Sequence, residues 1–249
     1  MQARGPPIRY ALLADIHGNL EALTAVLAHS ERVGVDGLVC LGDVVGYGAD
    51  PAPCLETVRR SDAAFVVGNH EHGSVGLLDL SWFNPHARAA AIWTASQLSD
   101  EEHTYLAKLP FTLTLHDATL VHASPRSPER WAYLLTPWDG FGAFDFFPGR
   151  LCFVGHSHRP AVWVQGEEGY RFLPGSQAVS LGPGRRFIVN VGSVGQPRDR
   201  DPRAAYAVWD VAASGVTIHR VAYDTLTAQT KIYRSGLPRI LGERLAYGC

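Results

Sequence analysis

The stretch Ile8–Leu27, IRYALLADIHGNLEALTAVL, decides the fold class, because an apolar run leads through two ionisable side chains into an amphipathic pattern. The apolar run predicts a buried strand over Ile8–Ala14. Asn19 is a suitable N-cap for the helix that the amphipathic pattern predicts. Asp15 and His17 lie between the two elements, and open α/β sheets collect ligands at the carboxyl ends of their strands. The stretch therefore predicts the first strand–helix unit of an α/β fold, with two candidate ligands at its turn.

Four more segments show the same arrangement, in which a short apolar run ends in side chains of the ligand type. They are LGDVVGYG at Leu41–Gly48, VGNHEH at Val67–His72, LVHAS at Leu120–Ser124 and VGHSHRP at Val154–Pro160. Together with the first segment they supply seven candidate metal ligands: Asp15, His17, Asp43, Asn69, His122, His156 and His158. Oxygen donors mixed with imidazoles suit manganese, iron or zinc. Seven ligands are too many for one four-coordinate ion, so we expect two divalent ions, with manganese favoured, that share Asp43.

The order of these motifs, D-x-H, G-D, G-N-H-[DE], a single His and G-H-x-H, resembles that of the calcineurin-like metallophosphoesterase superfamily. The resemblance extends from Asp15 to His158. Two stretches, ADIHGNLEAL at Ala14–Leu23 and VNVGSVGQPRDRDPRAAYAVWD at Val189–Asp210, resemble a bacterial and archaeal branch related to diadenosine tetraphosphatases and Ser/Thr protein phosphatases. The resemblance implies an α/β/β/α fold, which is a two-sheet β-sandwich flanked by helices.

The resemblance also implies a role for each candidate residue. One ion would take Asp15, His17, Asp43 and His158, and the other would take Asp43, Asn69, His122 and His156. A hydroxide that bridges the two ions would be the nucleophile. Asn69 and His70 would contact the substrate phosphate, and His70 would protonate the leaving oxygen, a catalytic role that suits an imidazole titrating near neutrality. The alternative for His70 is a surface histidine beside a metal site.

One position departs from the related enzymes. Protein phosphatases and dinucleoside tetraphosphatases carry G-D-x-V-D-R-G, whose Arg grips the substrate phosphate, whereas this chain has Gly46-Tyr47 in place of Asp-Arg. Another arginine could supply the missing charge, because a guanidinium matches phosphate oxygens in a bidentate manner. The candidates are Arg126, Arg159, Arg198, Arg200 and Arg203. We favour Arg198 for substrate binding because it follows the GSVGQP turn, and the alternative for each candidate is a solvated surface side chain.

The segment Ser124–Arg150 follows the candidate ligand His122 and is rich in aromatic side chains. These are Trp131, Tyr133, Trp138, Phe141, Phe144, Phe146 and Phe147. One interpretation is a lid or a base-stacking wall beside the metal site. The other is a small satellite core that covers the edge of a sheet. Both interpretations stay open at the level of the sequence.

The rest of the pattern predicts helices at Asn84–Gln97, Ser99–Lys108 and near Leu226–Arg234, and a further helix that opens near Pro51. Strands dominate from Phe111 onward, at Phe111–Leu115, Ala118–His122, Leu151–Val154, Val162–Gln165, Phe187–Asn190, Tyr206–Asp210 and Val216–Val221. No Ser/Gly linker, charge block or repeat divides the chain. Residues 1–249 are therefore expected to form a single domain.

The bulk composition limits the partners. A net charge of −2 argues against a dedicated nucleic-acid surface, and no apolar run approaches the roughly 18–20 residues of a membrane span. The first apolar run leads directly into Asp15, so it is not expected to be a cleaved signal peptide. The four cysteines, Cys40, Cys54, Cys152 and Cys249, show no CxxC spacing. They are expected to be reduced in a cytoplasmic protein.

The motifs thus predict a metal-dependent phosphoesterase that acts as a phosphatase or phosphodiesterase on a phosphoester substrate. The aromatic segment mildly favours a nucleotide. Within the enzyme class, the alternatives are a Ser/Thr protein phosphatase and a dinucleoside-polyphosphate hydrolase. From another class, the alternative is a non-catalytic scaffold with the same fold. Such scaffolds usually have broken ligand sets, whereas every ligand position of this chain is intact.

Overall fold

The computed structural model describes residues 9–175 and 177–249, and within these ranges the chain forms twelve strands and eight α-helices. The strands are β1 (Arg9–Leu13), β2 (Gly37–Cys40), β3 (Ala64–Phe65), β4 (Thr112–Leu115), β5 (Ala118–Val121), β6 (Leu151–Val154), β7 (Ala161–Gly166), β8 (Gly169–Pro174), β9 (Ala178–Ser180), β10 (Arg186–Asn190), β11 (Ala204–Asp210) and β12 (Gly215–Val221). The helices are α1 (Leu20–Val33), α2 (Pro51–Arg60), α3 (Asn69–Ser74), α4 (Pro85–Gln97), α5 (Asp100–Leu106), α6 (Pro137–Phe141), α7 (Thr225–Arg234) and α8 (Arg239–Glu243). Short 3-10 turns lie at Leu80–Trp82, Pro128–Arg130, Phe144–Phe146 and Arg244–Ala246.

Two six-stranded mixed sheets pack face to face. The first has the order β3-β2-β1-β11-β12-β9, and the second has the order β4-β5-β6-β10-β7-β8. In the first sheet β1, β2 and β3 run parallel, and in the second β5, β6 and β10 run parallel. The carboxyl ends of each parallel set therefore lie at one edge of their sheet.

The alternation of side chains along a strand explains why both faces of each sheet are buried. In β1, Leu12 belongs to the core between the sheets, whereas Ala11 and Leu13 pack toward the helices outside. In β6, Phe153 belongs to the core between the sheets and Cys152 to the core on the outer face. A strand that is buried on both sides reads as a continuous apolar run, which is the pattern seen in the sequence.

Each outer face is covered by residues from helical segments. Leu23 and Val26 of α1, with Leu55 and Val58 of α2, cover the first sheet. Segment 134–147, which contains α6, covers the second sheet. The resulting layers are α/β/β/α, and the predicted fold class is confirmed. The single-domain interpretation of residues 1–249 stays a prediction, which one cooperative unfolding transition would support.

Most predicted elements are present with shifted ends. The first strand starts at Arg9 in the described part, because the predicted residue Ile8 lies outside it. Asn19 caps α1 through its side chain, and Ser99 forms the capping box of α5. Strands β8 and β9 and the short helices α3, α6 and α8 were not predicted, because their sequences lack a clear apolar period. None of the helices in the described ranges is both long and apolar enough to span a bilayer.

Candidate metal centre

The seven candidate ligands follow the carboxyl ends of the parallel strands, where the edges of the two sheets meet. Backbone bonds join these edges directly: beyond β10 of the second sheet, Val194 N–H donates to Ala14 O and Gly195 N–H donates to Asp15 O, both at 2.9 Å and both just after β1 of the first sheet. All seven side chains are buried, with Asn69 the most exposed at 8%. Packing of the sandwich therefore brings together side chains that are far apart in the sequence.

Six of the seven candidate ligands form two clusters. Asp15, His17 and His158 make the first, and Asp43, His122 and His156 make the second; within each, the ligand atoms lie within 4.8 Å of one another. In the first, His17 Nε2 is 3.1 Å from His158 Nε2. In the second, His122 Nε2 is 3.1 Å from His156 Nδ1. Two nitrogens, each about 2.1 Å from a shared ion, have a separation of about this size, so both pairs suit neighbouring metal ligands.

Asp43 lies between the clusters. Its Oδ2 is 3.2 Å from His122 Nε2 and 3.7 Å from His17 Nε2. Its Oδ1 accepts the backbone N–H of His70 at 2.8 Å, which fixes the plane of the carboxylate. A carboxylate in this position faces both clusters.

Three of the histidines are held in the tautomer that ligation needs. The Nδ1–H of His17 donates to Val45 O at 3.0 Å, that of His122 to Leu41 O at 2.7 Å, and that of His158 to Gln196 O at 2.6 Å. A carbonyl can only accept, so in the neutral form of each ring the lone pair lies on Nε2, which points into its cluster. His156 is reversed, because its Nδ1 is the atom that faces His122.

Buried polar atoms without a partner mark the centre. Among the described residues, Asn69 Oδ1, His70 Nδ1 and His156 Nε2 are buried and have no hydrogen-bond partner. Leaving such an atom unsatisfied costs about 1–3 kcal/mol. The free amide oxygen of Asn69 belongs to a residue that lines the cleft with Asp43 and His156, and it is a ligand atom that a divalent ion would use, so the residues present fit the expected metal.

The electrostatics of the centre also fit a cation. Burial raises the pKa of Asp15 to about 8. Burial lowers the pKa of His156 to about 3 and holds those of His17 and His158 well below their usual range. Burial also disfavours charged His122, but the Asp43 carboxylate outweighs it and raises the His122 pKa to about 9. His17, His156 and His158 are therefore neutral and supply lone pairs. Near neutral pH, His122 and Asp15 instead hold protons that a divalent ion would displace.

The ligand turns have an unusual backbone. Five candidate ligands have φ between 49° and 65°, in the left-handed region: Asp15, His17, Asp43, His156 and His158. Asp and His adopt this region more readily than most residues, yet each instance still costs of order 1–3 kcal/mol. Such strain persists where the surrounding structure fixes it. Here the left-handed backbone directs side chains that are close in the sequence, such as Asp15 and His17, into one site.

Glu71 holds two of the ligand loops together, and the sequence did not reveal this role. Its Oε2 accepts the N–H groups of Asp43 and Gly68, both at 2.8 Å, and its Oε1 accepts those of Val44 at 2.6 Å and Val45 at 3.2 Å. Burial and the charge of Asp43 raise the pKa of Glu71, and these hydrogen bonds oppose the rise. The acidic residue after Gly-Asn-His was the signal that could have identified it.

The C-terminal motif Val189–Asp210 forms hydrogen bonds to the loops that carry the candidate ligands. Asn190 Nδ2 donates to Gly155 O at 2.6 Å and to Ser157 Oγ at 3.0 Å. Ser193 Oγ donates to Asp15 O at 2.8 Å. These contacts fix the backbone beside Asp15 and the G-H-x-H turn, so the motif acts on the ligands through the main chain.

His70 lies in the centre as well. Its ring is enclosed by those of Tyr47, His17 and Phe83, at centroid distances of 4.4, 4.8 and 5.0 Å. A Cβ on Gly46 would lie 2.3 Å from His70 Nδ1, so only glycine fits there. Burial lowers the pKa of His70 to about 4, so the expected titration near neutrality is not found in the unliganded centre. His70 also forms a candidate metal trio with His17 and Asp43, so the geometry alone allows it to be a ligand. The alternative of a surface histidine does not fit its 3% exposure.

A cleft of about 220 Å³ opens onto the centre. Its floor includes Asp43, Asn69, His70, His156 and His158, and the remaining lining residues are Tyr47, Leu78, Trp82, Phe83, Asn84, Ala87, Arg130, Trp131, Tyr133 and Arg198. The sequence did not single out Arg130 or the segment 78–87. That segment follows His70 closely in the sequence, whereas Arg130, Trp131 and Tyr133 lie far along the chain from it.

Of the candidate arginines, Arg198 lines the cleft. Its guanidinium lies 5.6 Å from the centre of the Tyr47 ring, and its Nη2 donates to Gln196 Oε1 at 2.8 Å. Arg244 Nη1 donates to the same oxygen at 3.2 Å. The others have different contacts in the described residues: Arg126 lies over Phe146, Arg159 donates to Arg198 O, Arg203 pairs with Asp201, and Arg200 is exposed.

The aromatic segment Ser124–Arg150 serves both of the predicted purposes. Phe144 and Phe147 are buried with Trp163 in the outer core of the second sheet, as a satellite core requires. Tyr133 stacks on His156 at 4.0 Å, and it lines the cleft together with Trp131. The segment therefore covers the sheet with one part and forms a wall of the site with another.

An α/β/β/α sandwich with carboxylate and imidazole clusters at the carboxyl ends of its strands defines a metal-dependent hydrolase. Residues 8–214 match the model of the calcineurin-like phosphoesterase superfamily domain. The chain belongs to this superfamily, and the predicted family and enzyme class, a metal-dependent phosphoesterase, are confirmed.

Relatives cover nearly the whole chain. An uncharacterized protein of Methanocaldococcus jannaschii is 39% identical over 242 residues, which are 96% of this chain and 97% of the relative. The crystal structure of a metallophosphoesterase from Sphaerobacter thermophilus is 40% identical, with a TM-score of 0.85, and the match covers 98% of this chain and 100% of that one. A hypothetical protein from Pyrococcus horikoshii is 21% identical, with a TM-score of 0.76 and coverage of 97% and 98%, and shares the fold.

Proposed function

We propose that this chain is a dinuclear phosphoester hydrolase whose reaction takes place at the floor of the cleft. The observation that carries the proposal is the position of Asp43 Oδ2, 3.2 Å from His122 Nε2 and 3.7 Å from His17 Nε2. A carboxylate that faces two clusters can balance the charge of two ions. Two divalent ions, when bound, supply an activated water and neutralise the negative charge of the phosphate.

The two ligand sets correspond to the two clusters. The first ion is assigned to Asp15, His17, Asp43 and His158, and the second to Asp43, Asn69, His122 and His156. The 3.1 Å nitrogen pair in each set and the free Oδ1 of Asn69 support this assignment. We favour manganese, because carboxylate and amide oxygens mixed with imidazoles suit this ion.

His70 is assigned the proton transfer to the leaving oxygen. It lines the floor of the cleft, its ring is held by three neighbouring rings, and its Nδ1 is free of other partners in the described residues. A bound phosphate would bring negative charge beside this imidazole and favour its protonated form. With Asn69, which adjoins it, His70 would also contact the phosphate oxygens.

Arg198 is assigned to phosphate binding. Tyr47 occupies the place of the arginine found in the related G-D-x-V-D-R-G motif, and the Arg198 guanidinium lies 5.6 Å from the centre of that ring. A cation is therefore present close to the position that the motif leaves without one. Gln196 orients the guanidinium through its Oε1.

A cytoplasmic location is part of the proposal. Cys40, Cys54 and Cys152 are buried free thiols, and Cys249 is an exposed free thiol. Free thiols in a protein with four cysteines suit a reducing compartment.

Turnover of bis-p-nitrophenyl phosphate and p-nitrophenyl phosphate after manganese loading tests the proposal. We expect the wild-type protein to hydrolyse at least one of these esters and the Asp43→Asn variant to hydrolyse neither. The ester that wild-type protein hydrolyses faster shows whether diesters or monoesters are preferred. Extending the panel to phosphoseryl peptides and dinucleoside polyphosphates tests the protein phosphatase and dinucleoside-polyphosphate hydrolase alternatives. A metal-loaded protein that hydrolyses none of these substrates would be a scaffold, and the proposal would be wrong.

A further inference from the structure

The exposed indole of Trp82 is the least explained part of the cleft. Trp82 lines the cleft, yet its side chain is 83% exposed. In the part of the chain that the structure describes, no other ring stacks on it and no cation lies over it. Trp131 and Tyr133 differ, because Trp131 packs 5.6 Å from the ring of His72 and Tyr133 stacks on His156. Trp82 thus presents a free aromatic face at the rim of a polar site.

The backbone that carries Trp82 is well fixed. Asp79 caps the 3-10 turn Leu80–Trp82 by accepting the N–H and the hydroxyl of Ser81, both at 2.8 Å. Asn84 then caps α4 by accepting from the N–H groups of His86 and Ala87. The two caps fix the backbone on each side of Trp82. The backbone position of Trp82 therefore does not depend on packing of its indole.

Phe83 joins this segment to the reaction centre. Its ring lies 5.0 Å from that of His70, and a Cβ on Gly73 would approach it to 3.0 Å, so Phe83 is tightly seated. Trp82 is the adjacent residue in the chain and lies on the exposed side of this anchor. Trp82 and His70 line the same cleft, so one ligand in that cleft can contact the indole and the floor together.

The chemistry of the cleft limits what such a group can be. The floor is built for a phosphoester, and Arg130 and Arg198 add positive charge to the lining. The cleft, of about 220 Å³, extends from the floor to Trp82 and Arg130 and is larger than a phosphate group needs. An aromatic platform next to a cationic phosphate site suits a nucleobase, since every base offers a π-face.

We infer that Trp82 is a stacking platform for the nucleobase of a nucleoside phosphodiester, which is the substrate class of this enzyme. The inference rests on the proposed hydrolytic function and adds a specificity-determining residue to it. The base stacks on the indole while the phosphorus lies at the floor of the cleft. Hydrolysis then breaks the phosphorus–oxygen bond to the leaving group, and water supplies the new oxygen on phosphorus and the released proton.

Two diesters with one leaving group isolate this contribution. Thymidine 5′-(p-nitrophenyl phosphate) and methyl p-nitrophenyl phosphate both release p-nitrophenolate, and they differ only in the arm that stays on phosphorus. The ratio of their kcat/KM values is measured with manganese-loaded wild-type protein, Trp82→Ala and Trp82→Phe. Trp138→Ala is the matched control, because Trp138 is 80% exposed and is not among the residues that line the cleft.

We expect the wild-type protein to prefer the thymidine ester and Trp82→Ala to lower the ratio by roughly 5- to 150-fold. Trp82→Phe should retain most of the preference, and Trp138→Ala should retain all of it, with metal content unchanged in every variant. An unchanged ratio in Trp82→Ala, or equal losses on both esters, would overturn the inference.

Other substrates distinguish the remaining explanations. If Trp82→Ala slows only a phosphotyrosyl peptide, the platform serves a tyrosyl ring and the inference is wrong. If wild-type protein hydrolyses p-nitrophenyl phosphate but neither diester, the hydrolytic function stands and the inference fails. If wild-type protein hydrolyses none of the four substrates, which are the thymidine ester, the methyl ester, p-nitrophenyl phosphate and the phosphotyrosyl peptide, the proposed function itself is wrong.

Discussion

Replacing Glu71 by Gln is expected to destabilise the protein severely, although it removes no heavy atom. The two carboxylate oxygens accept four backbone N–H groups, two on each oxygen. A glutamine amide must place its NH2 group against one of these pairs, because no rotation of the amide avoids a pair of donors. The two loops that carry Asp43 and Asn69 would then lose a shared anchor.

The magnitude can be worked from the lost bonds. A hydrogen bond to a charged group contributes about 1.5–3 kcal/mol, so losing two corresponds to about 3–6 kcal/mol. Whole domains are stable by only about 5–15 kcal/mol, so the variant should have a much lower free energy of unfolding. The reaction centre should also bind less metal, because Glu71 bonds the main chain of Asp43 directly.

Urea unfolding of the metal-free proteins, monitored by fluorescence and circular dichroism, measures this loss, and elemental analysis of the loaded proteins measures the metal. Glu101→Gln is the matched control, since Glu101 pairs with Arg59 on the surface and is 78% exposed in its side chain. That control should keep the unfolding midpoint and the metal content of the wild-type protein. A Glu71→Gln variant within about 1 kcal/mol of wild type would refute the argument that four N–H donors need an acceptor at both oxygens.

Three further substitutions test the centre. Asp43→Asn should deplete both metal sites and abolish turnover, whereas His156→Ala should deplete one preferentially; identical metal loss in elemental analysis would mean that Asp43 is not the bridge. His70→Asn should keep the metal and lose about 10²- to 10⁴-fold in kcat on esters with poor leaving groups, but less on p-nitrophenyl esters, and a loss of metal would make His70 a ligand. Arg244→Gln should raise KM by roughly tenfold with metal content unchanged, because Arg244 and Arg198 share Gln196 Oε1, and Arg244→Lys should recover part of the loss. An unchanged KM would mean that Gln196 orients Arg198 without help from Arg244.

The fold class and the ligand candidates could be predicted from the sequence because each depends on local order. An apolar run predicts a strand, and a ligand-type residue directly after it must lie at the end of that strand. Asp15 after β1 and Asp43 after β2 are examples. Element ends were less predictable, as with the helix expected over Ser99–Lys108, which spans Asp100–Leu106.

The walls of the cleft could not be predicted in the same way. Tyr133 and Trp82 carry no local signal that separates a cleft residue from an ordinary exposed aromatic one. Their positions depend on how the loop after β5 and the turn before α4 fold over the centre. The role of Glu71 escaped prediction for the same reason, since three of its four donors lie 26 to 28 residues away in the sequence.

The sequence by itself determined the kinds of donors, their order along the chain and the enzyme class that they define. Only the tertiary structure decided how closely the donors of each cluster approach one another and which ring nitrogen of each histidine faces its cluster. The Nδ1 atoms of His122 and His158 bond carbonyls of Leu41 and Gln196, which lie 81 and 38 residues away. Spacing along a chain determines which side chains stand at the end of each strand, whereas distances between loops are set by the packing of two sheets, which no single segment encodes.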